Sequence, residues 1–384
     1  IMGPSLAMIH RLRALASSVG DEGAGLALET LRAIEGNVTT QMDLALWQVA
    51  VTIQGDAEAL AIFTGESADS VARLYQAGDL PTAAQRALEE FLAQYGMRGV
   101  GEIDLGRSRW RDNPAEIVGT VQSYLAIADP SRAPEAVFRA GAAAAEQATE
   151  KLASLVGVGW GGKLRERQVR FLVAHLRGMS GARETPKFAI VQVMGIARDG
   201  LLASGGDLVE AGVLERADDV YFLRVRELDR IFAALDEGWK PLVEERRERY
   251  RREQQRRQVP RIMVGDGRTI HEGLGNAADR SISGSPVSPG VAQGRVRVVF
   301  QPQAAELVPG EILVCPGTDP AWTPLFLAAA GLITEVGGMM THGSVVAREY
   351  GIPAIVGVHE ATTRLRTGQL IRMDGTAGTI EILE

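Results

Sequence analysis

The stretch "EVGGMMTHGSVVAREYGIPAIVG" (335–357) carries His342, one of only five histidines in 384 residues. It stands between Thr341 and Gly343, shortly after the Gly337–Gly338 pair and just before an apolar helical run. An apolar strand pattern ends near Val336, so the imidazole falls on a strand-to-helix loop, with Ser344 and then Thr341 as candidates to cap the helix. A helix N-terminus offers unpaired N–H donors and a partial positive charge of roughly half a unit. That field disfavours imidazolium, keeps a lone pair free on the ring and stabilises an anion placed there. A histidine that is transiently phosphorylated needs this combination. Taken alone, an isolated histidine is more often an ordinary surface or core residue. A metal site has less support, because no other His or Cys lies at ligand spacing and Cys315 is the single cysteine.

The elements around this loop divide the sequence near residue 260. Up to Arg257 the pattern is helical. Apolar residues recur three or four apart in 6–19, 41–53, 82–96, 134–157, 165–179, 186–212 and 225–235, and the many alanines indicate closely packed helices. The arginine-rich segment 240–258 reads as a helix whose Glu and Arg residues pair i,i+4 on a solvated face, without the interleaved aromatics of a nucleic-acid surface. "GVGWGGK" (157–163) fits G-x-G-x-x-G, but no strand precedes it, so a helix–helix turn is expected. Residues 259–284 are rich in Gly, Pro, Ser and Asp and read as a linker with short β segments. Strands are expected at 294–300, 310–317, 331–338 and 353–358, a hairpin at 368–383, and helices at 322–330 and 344–351. The expected fold is therefore an all-α domain over 1–258 and a small α/β domain over 285–384.

Hydrophobic residues make up 46% of the chain and charged residues 23%, as in ordinary globular proteins, and the net charge of −7 gives no general attraction to nucleic acid. No run of about 18 uncharged apolar residues and no secretion signal are evident, and one cysteine suits a reducing compartment, so a cytoplasmic protein without a membrane span is expected.

The motif "GGMMTHGSVVAREYGIPAIVGV" resembles the signature of the swivelling phosphohistidine domain of phosphoenolpyruvate-utilising enzymes, a group that includes pyruvate phosphate dikinase, phosphoenolpyruvate synthase and rifamycin phosphotransferase. The resemblance extends over "SPVSPGVAQGRVRVV" (285–299), "PGTDPAWTPLF" (316–326) and "MDGTAGTIEIL" (373–383), which cover the C-terminal domain. It implies a swivelling β/β/α domain in which His342 takes a phosphoryl group from ATP and delivers it elsewhere. Thr341, Gly343 and Ser344 would support the phosphate locally, and Thr318 and Asp319 of the "GTDP" turn would lie near the same edge. Arg348 would either face a phosphate or pair with Glu349 or another acid. Where the common pattern has Ala after the histidine, this chain has Gly343, which reads as subfamily character.

Domain order separates the subfamilies. In the dikinase and the synthase a TIM barrel of about 250 residues follows the carrier domain; here no such stretch follows, and helical sequence precedes it. That order resembles rifamycin phosphotransferase, as do "GNVTTQMDLAL" (36–46), "FLAQYGMRGVGEIDLGRSRW" (91–110), "RETPKFAIVQ" (183–192) and "ADDVYFLRVREL" (218–228). In "GARETPKF", Arg183 and Lys187 flank a predicted helix start with Thr185 as cap and Pro186 in the first turn. Two cations there would steady a phosphoryl group in flight, or form an exposed basic pair. Arg98 and Glu102 stand in a glycine-rich turn and either contact an acceptor or form a buried ion pair. Met42, Leu44, Phe188 and Met194 would line an acceptor pocket or simply pack in the core.

The resemblance thus implies the acceptor-binding and phosphohistidine portion of a dikinase-type phosphotransferase. ATP and Mg2+ would be bound by an ATP-grasp domain outside these residues, in the same full-length chain or in trans, and this chain itself is expected to hold no cofactor and no metal. The expected acceptor is a small hydrophobic hydroxyl-bearing molecule, a rifamycin first. The rivals are a pyruvate-directed synthase or dikinase and a non-enzymatic phosphorelay carrier.

Overall fold

The computed structural model of the protein describes residues 2–127, 129–231, 238–255, 262–270, 282–300, 302, 307–318, 322–338 and 341–383. Seven helices precede residue 130: α1 (Met2–Ser17), α2 (Gly20–Glu29), α3 (Val38–Gln54), α4 (Ala57–Gly65), α5 (Ala68–Ala77), α6 (Thr82–Tyr95) and α7 (Ala115–Leu125). Then come α8 (Pro134–Val156), α9 (Gly162–Gly181), α10 (Thr185–Glu210), α11 (Val225–Ile231) and α12 (Trp239–Gln254). Local chemistry starts several of them: Asn37 caps α3 through Thr39 N, Asp56 caps α4 through Glu58 N and Ala59 N, and Ser67 caps α5 through Ser70 N. Gly157–Gly161 forms the expected turn between α8 and α9. Gly162 is required there, since a Cβ would lie 1.6 Å from the Gly157 carbonyl oxygen.

The strands are β1 (Ile262–Met263), β2 (Thr269–Ile270), β3 (Ile282–Ser283), β4 (Ser285–Ser288), β5 (Val291–Val298), β6 (Ile312–Cys315), β7 (Gly331–Thr334), β8 (Ala354–Val356), β9 (Leu370–Asp374) and β10 (Thr379–Ile382). Helices α13 (Thr323–Ala328), α14 (His342–Tyr350) and α15 (Ala361–Arg364) lie between them. β1 and β2 pair as a small antiparallel ribbon. The other eight form one mixed sheet in the order β3-β10-β9-β5-β6-β7-β8-β4, parallel across β5 to β8 and antiparallel on either side. All residues of β6, β7 and β8 are buried, as befits parallel strands covered on both faces. One face packs Val296, Ile312, Ile333 and Ile371; the other packs Leu313, Leu332, Phe326 and Ala347.

Two compact units emerge, and they do not follow the boundaries expected from composition. The first joins 1–96, 113–188 and 273–384; the second joins 97–112 and 189–272. In the first unit α1, α2, α8 and α9 share a core of Leu12, Leu15, Leu31, Leu152, Val156 and Leu176. The strand-containing region belongs to this unit because α14 packs on α8. Glu349, near the end of α14, accepts a hydrogen bond from Ile34 N at 3.2 Å. Arg177 secures the turn that presents Ile34, donating to the carbonyls of Thr30, Arg32 and Ala33 at 2.9, 2.6 and 2.8 Å. β3 adds Ile282 and Ser283 to the sheet, so part of the expected linker is structural.

In the second unit the 97–112 loop closes on α10. Arg198 donates to Leu105 O at 2.6 Å and meets Asp112 at 3.1 Å. A separate core gathers Leu208, Leu214, Val220, Ile231 and Trp239. The arginines of α12 do more than decorate a solvated face. Arg246 holds Glu227 at 2.5 and 2.7 Å and Phe222 O at 2.8 Å, and Arg247 binds Asp219. Among the described residues of α12, Arg247–Glu244 and Arg251–Glu248 pair at i,i+3, and Arg251 also lies 3.6 Å from Glu244. By length and mean apolarity alone, the stretch Gly162–Glu210, which holds α9 and α10, would suffice to cross a bilayer. Yet within α10 Arg198 and Asp199 are ion-paired to Asp112 and Arg111, as in a protein-facing helix.

Two carboxyls in the first unit are buried at a cost. Asp43 on α3 receives the Tyr124 hydroxyl, and burial pushes its pKa up to about 7. Burial likewise raises Glu349 to about 7 against the opposing pull of Ile34 N, Arg348 and Arg177, and its second oxygen has no partner among the described residues. In the unfolded chain both ionise near pH 4. Between roughly pH 4 and 7 the native state therefore binds more protons than the unfolded state, and stability falls as pH rises through that window. The thermal midpoint of the protein should drop from pH 5 to pH 8, and Asp43→Asn with Glu349→Gln should flatten that slope; an unchanged slope in the double variant would locate the titration elsewhere.

Candidate functional site

The loop that presents His342 is built on backbone. After β7, Glu335 N donates to Cys315 O at 3.1 Å and Val336 N to Pro316 O at 2.9 Å, so the chain continues beside the end of β6. The Glu335 carboxylate receives Thr362 N at 2.8 Å and the Thr362 hydroxyl at 2.5 Å, which ties the loop to α15. Gly337 lies against Val356, with an added Cβ only 3.0 Å from that side chain.

His342 is the first residue of α14, and Thr341 is its N-cap residue with an extended backbone. The hydroxyls do not act as expected. Neither caps the helix: Thr341 Oγ1 donates to Gly338 O at 2.9 Å, Ser344 Oγ donates to the same carbonyl at 2.8 Å, and the two hydroxyls lie 3.0 Å apart. Ser344 is already inside the helix and fully buried. The first intrahelical bond is Val345 N to Thr341 O at 3.0 Å. Among the described residues the amides of the first turn thus have no side-chain cap, and they form a donor set with a partial positive charge beside residue 342. The side chain of His342 lies outside the described residues, as do Asp319, Met339 and Met340.

Thr318 reaches this turn. A Cβ at position 343 would stand 2.2 Å from Thr318 Oγ1, which is why glycine follows the histidine. Thr318, Thr341, Gly343 and Ser344 are therefore brought together as expected from the motif. At the other end Gly351 closes α14 with φ of 65°, and Arg348 faces inward: it is buried and donates to Val287 O at 3.0 Å. It is thus not on the surface, as an ion pair there would require, and burial lowers its pKa to about 10.

Among the described residues of the helical region, the cation Arg183 lies beside this helix. Arg183 is ion-paired to Glu184 and lines a cavity of about 20 Å³ together with Val345 and Arg348 of α14, room for about one water. Lys187 is exposed in the first turn of α10. That helix starts one residue earlier than expected: Phe188 N donates to Glu184 O, with Thr185 first in the helix and Pro186 second. Leu44 lines a second small cavity with Asp43, Val346 and Glu349. Met42 is buried in α3, and Phe188 packs on Tyr95 at 5.9 Å.

The remaining acceptor candidates lie in the second unit. Arg98 and Glu102 are both buried and joined by two hydrogen bonds of 3.0 and 3.1 Å, so a ligand would have to part that pair. Met194 is half-buried on α10, where Ile190 and Val193 are exposed at 55% and 66%. That exposed apolar stripe was not singled out in the sequence, although its i,i+3 spacing was legible.

Residues 1–184 match the family described as rifampicin phosphotransferase fourth domain, and residues 307–378, with His342 among them, match the PEP-utilising enzyme mobile domain. The sequence is 37% identical over 354 residues to the rifampicin phosphotransferase of Streptomyces sviceus, across 91% of this chain and 40% of that protein. It is 34% identical over 359 residues to the rifampicin phosphotransferase of Bacillus subtilis, across 93% of this chain and 41% of that one. The chain is similar to rifampicin phosphotransferases over nearly all of its own length. It spans about 40% of the length of these two relatives. An uncharacterised phosphotransferase of Bacillus subtilis, YvkC, is 27% identical across 100% of this chain and 46% of its own length.

The contact at position 343 is directly testable. Gly343→Ala should cost about 1 kcal/mol through overpacking. Thr318→Ala should relieve most of that loss, so the double variant in urea unfolding should be more stable than the two single effects added together; simple additivity would show that the contact is not felt.

Proposed function

We propose that this chain is the acceptor-binding and phosphohistidine portion of a phosphotransferase that moves the β-phosphate of ATP through His342 to a hydroxyl of a bulky acceptor, a rifamycin first. The observation that supports it most is the placement of His342 at the start of a nine-residue helix whose first-turn amides are left uncapped by both neighbouring hydroxyls. Those amides stabilise the anion that a phosphorylated imidazole becomes. ATP, water and the imidazole give phosphohistidine, AMP and inorganic phosphate; the phosphorus–nitrogen bond then breaks as the acceptor oxygen takes the phosphoryl group and loses its proton. ATP and Mg2+ belong to an ATP-grasp domain outside these residues, in the full-length protein or supplied in trans.

Arg183 and Lys187 are assigned to the transfer step, in which two cations offset the charge spread over the phosphoryl oxygens. Arg183 supports that role by lining the flank of α14. The apolar stripe of α10, with Met194, is assigned to acceptor contact. The C-terminal domain acts as a swivelling β/β/α carrier, and its departure requires the Glu349 contact to Ile34 to break.

Reconstitution tests the reading. With an ATP-grasp domain in trans and ATP labelled at the β-phosphate, acid-labile label should appear on the protein, vanish in His342→Ala and discharge on adding rifampicin. Arg183→Ala should leave the label in place but slow discharge by roughly 100-fold or more, the scale of a lost transition-state charge contact. Label that persists in His342→Ala would refute the assignment, and discharge by pyruvate alone would turn it towards a synthase-type reaction.

A further inference from the structure

A groove of about 540 Å³ lies within the second unit, lined by five arginines against three carboxylates. That size falls in the range that takes nucleotide-sized or drug-sized ligands. Its walls are set before any ligand arrives. Arg246 and Arg247 are committed to Glu227, Asp219 and Glu244, which fixes their side of the groove. Phe222 meets Tyr250 edge-on at 6.1 Å and carries the Arg247 guanidinium at 5.3 Å, and the Tyr221 hydroxyl donates to Arg198 O at 3.0 Å.

Three further arginines of the groove lie nearer to solvent. Arg216 and Arg251 are 58% and 55% exposed, with carboxylate partners at 3.1 Å and at 3.3 and 3.6 Å. Arg249 is exposed and has no ion pair among the described residues. Behind the groove, Arg109 is only 1% exposed and none of its three guanidinium nitrogens has a hydrogen-bond partner among the described residues. The carboxylates within its electrostatic reach are Glu102 and Asp112 and, more weakly, Asp104, which lines the groove.

We propose that this groove binds a nucleotide-like aromatic anion, with its planar ring on Tyr250 and Phe222 and its phosphate held by Arg216, Arg249 and Arg251. Guanidinium forks match phosphate oxygens in pairs, and aromatic faces take a flat ring; neither feature alone calls for the other. This assignment is independent of the phosphoryl-transfer reading, because it rests on residues of the second unit alone.

The test is calorimetric titration of the 384-residue chain with AMP, adenosine, inorganic phosphate and a short single-stranded oligonucleotide. AMP should bind saturably, with adenosine and phosphate each at least tenfold weaker. Arg249→Ser with Arg251→Ser should weaken AMP at least tenfold, and Tyr250→Ala several-fold while Tyr250→Phe does not. As a readout free of substitutions, photo-crosslinking with 8-azido-AMP should label peptides within 216–222 or 246–253. Absent AMP binding, phosphate binding as tight as AMP, preferential binding of the oligonucleotide, or labelling only elsewhere would each overturn the proposal.

Discussion

Helix α14 is held at both ends by main-chain contacts, and the site depends on that grip. At its start two hydroxyls fold back onto one carbonyl, that of Gly338, so they shape the loop and leave the helix amides uncapped. At its end a buried carboxyl meets the amide of Ile34, and Gly351 turns the chain away. A helix N-terminus is a receptor for anions only while its donors are unspent. Here the side chains best placed to spend them are engaged elsewhere, and glycine at 343 lets Thr318 close against the turn.

The helical region and the strand-containing region form one compact unit through α14, which packs on α8 and carries the Glu349 contact to Ile34. That contact is made to backbone amides of the 33–34 turn by a carboxyl that burial pushes towards neutrality. The Arg177 clamp lies within the helical region itself and holds the turn that presents Ile34.

The second unit follows a different rule. Guanidinium groups hold its elements together: Arg98 to Glu102 within the 97–112 loop, Arg198 of α10 to Asp112, and from α12 Arg246 to Glu227 of α11 and Arg247 to Asp219 of the 3-10 turn Ala217–Phe222. Planar forks suit carboxylates held on separate elements, which is why arginine rather than lysine fills these places. The arginine-rich composition of α12 is the local trace of that network.

Much of this was legible in the sequence, because the signals are local. Helix periodicity over 82–96 or 134–157, alternation over 294–300 and the hairpin at 368–383 each depend on neighbours within a few residues, and the structure has them within a few positions of their expected places. The histidine motif likewise placed residue 342 at a helix start. What the sequence could not reveal are partners hundreds of positions apart. Nothing in "VVAREYG" tells Arg348 to face inward to Val287, or Glu349 to meet Ile34 across 315 residues. The same holds for Thr318 against Gly343 and for Arg247 reaching Asp219. Hydrogen bonds and burial are decided by which surfaces meet in space. Only tertiary packing determined which hydroxyls spend their donors, which carboxyls lose their water and which arginines remain for a ligand.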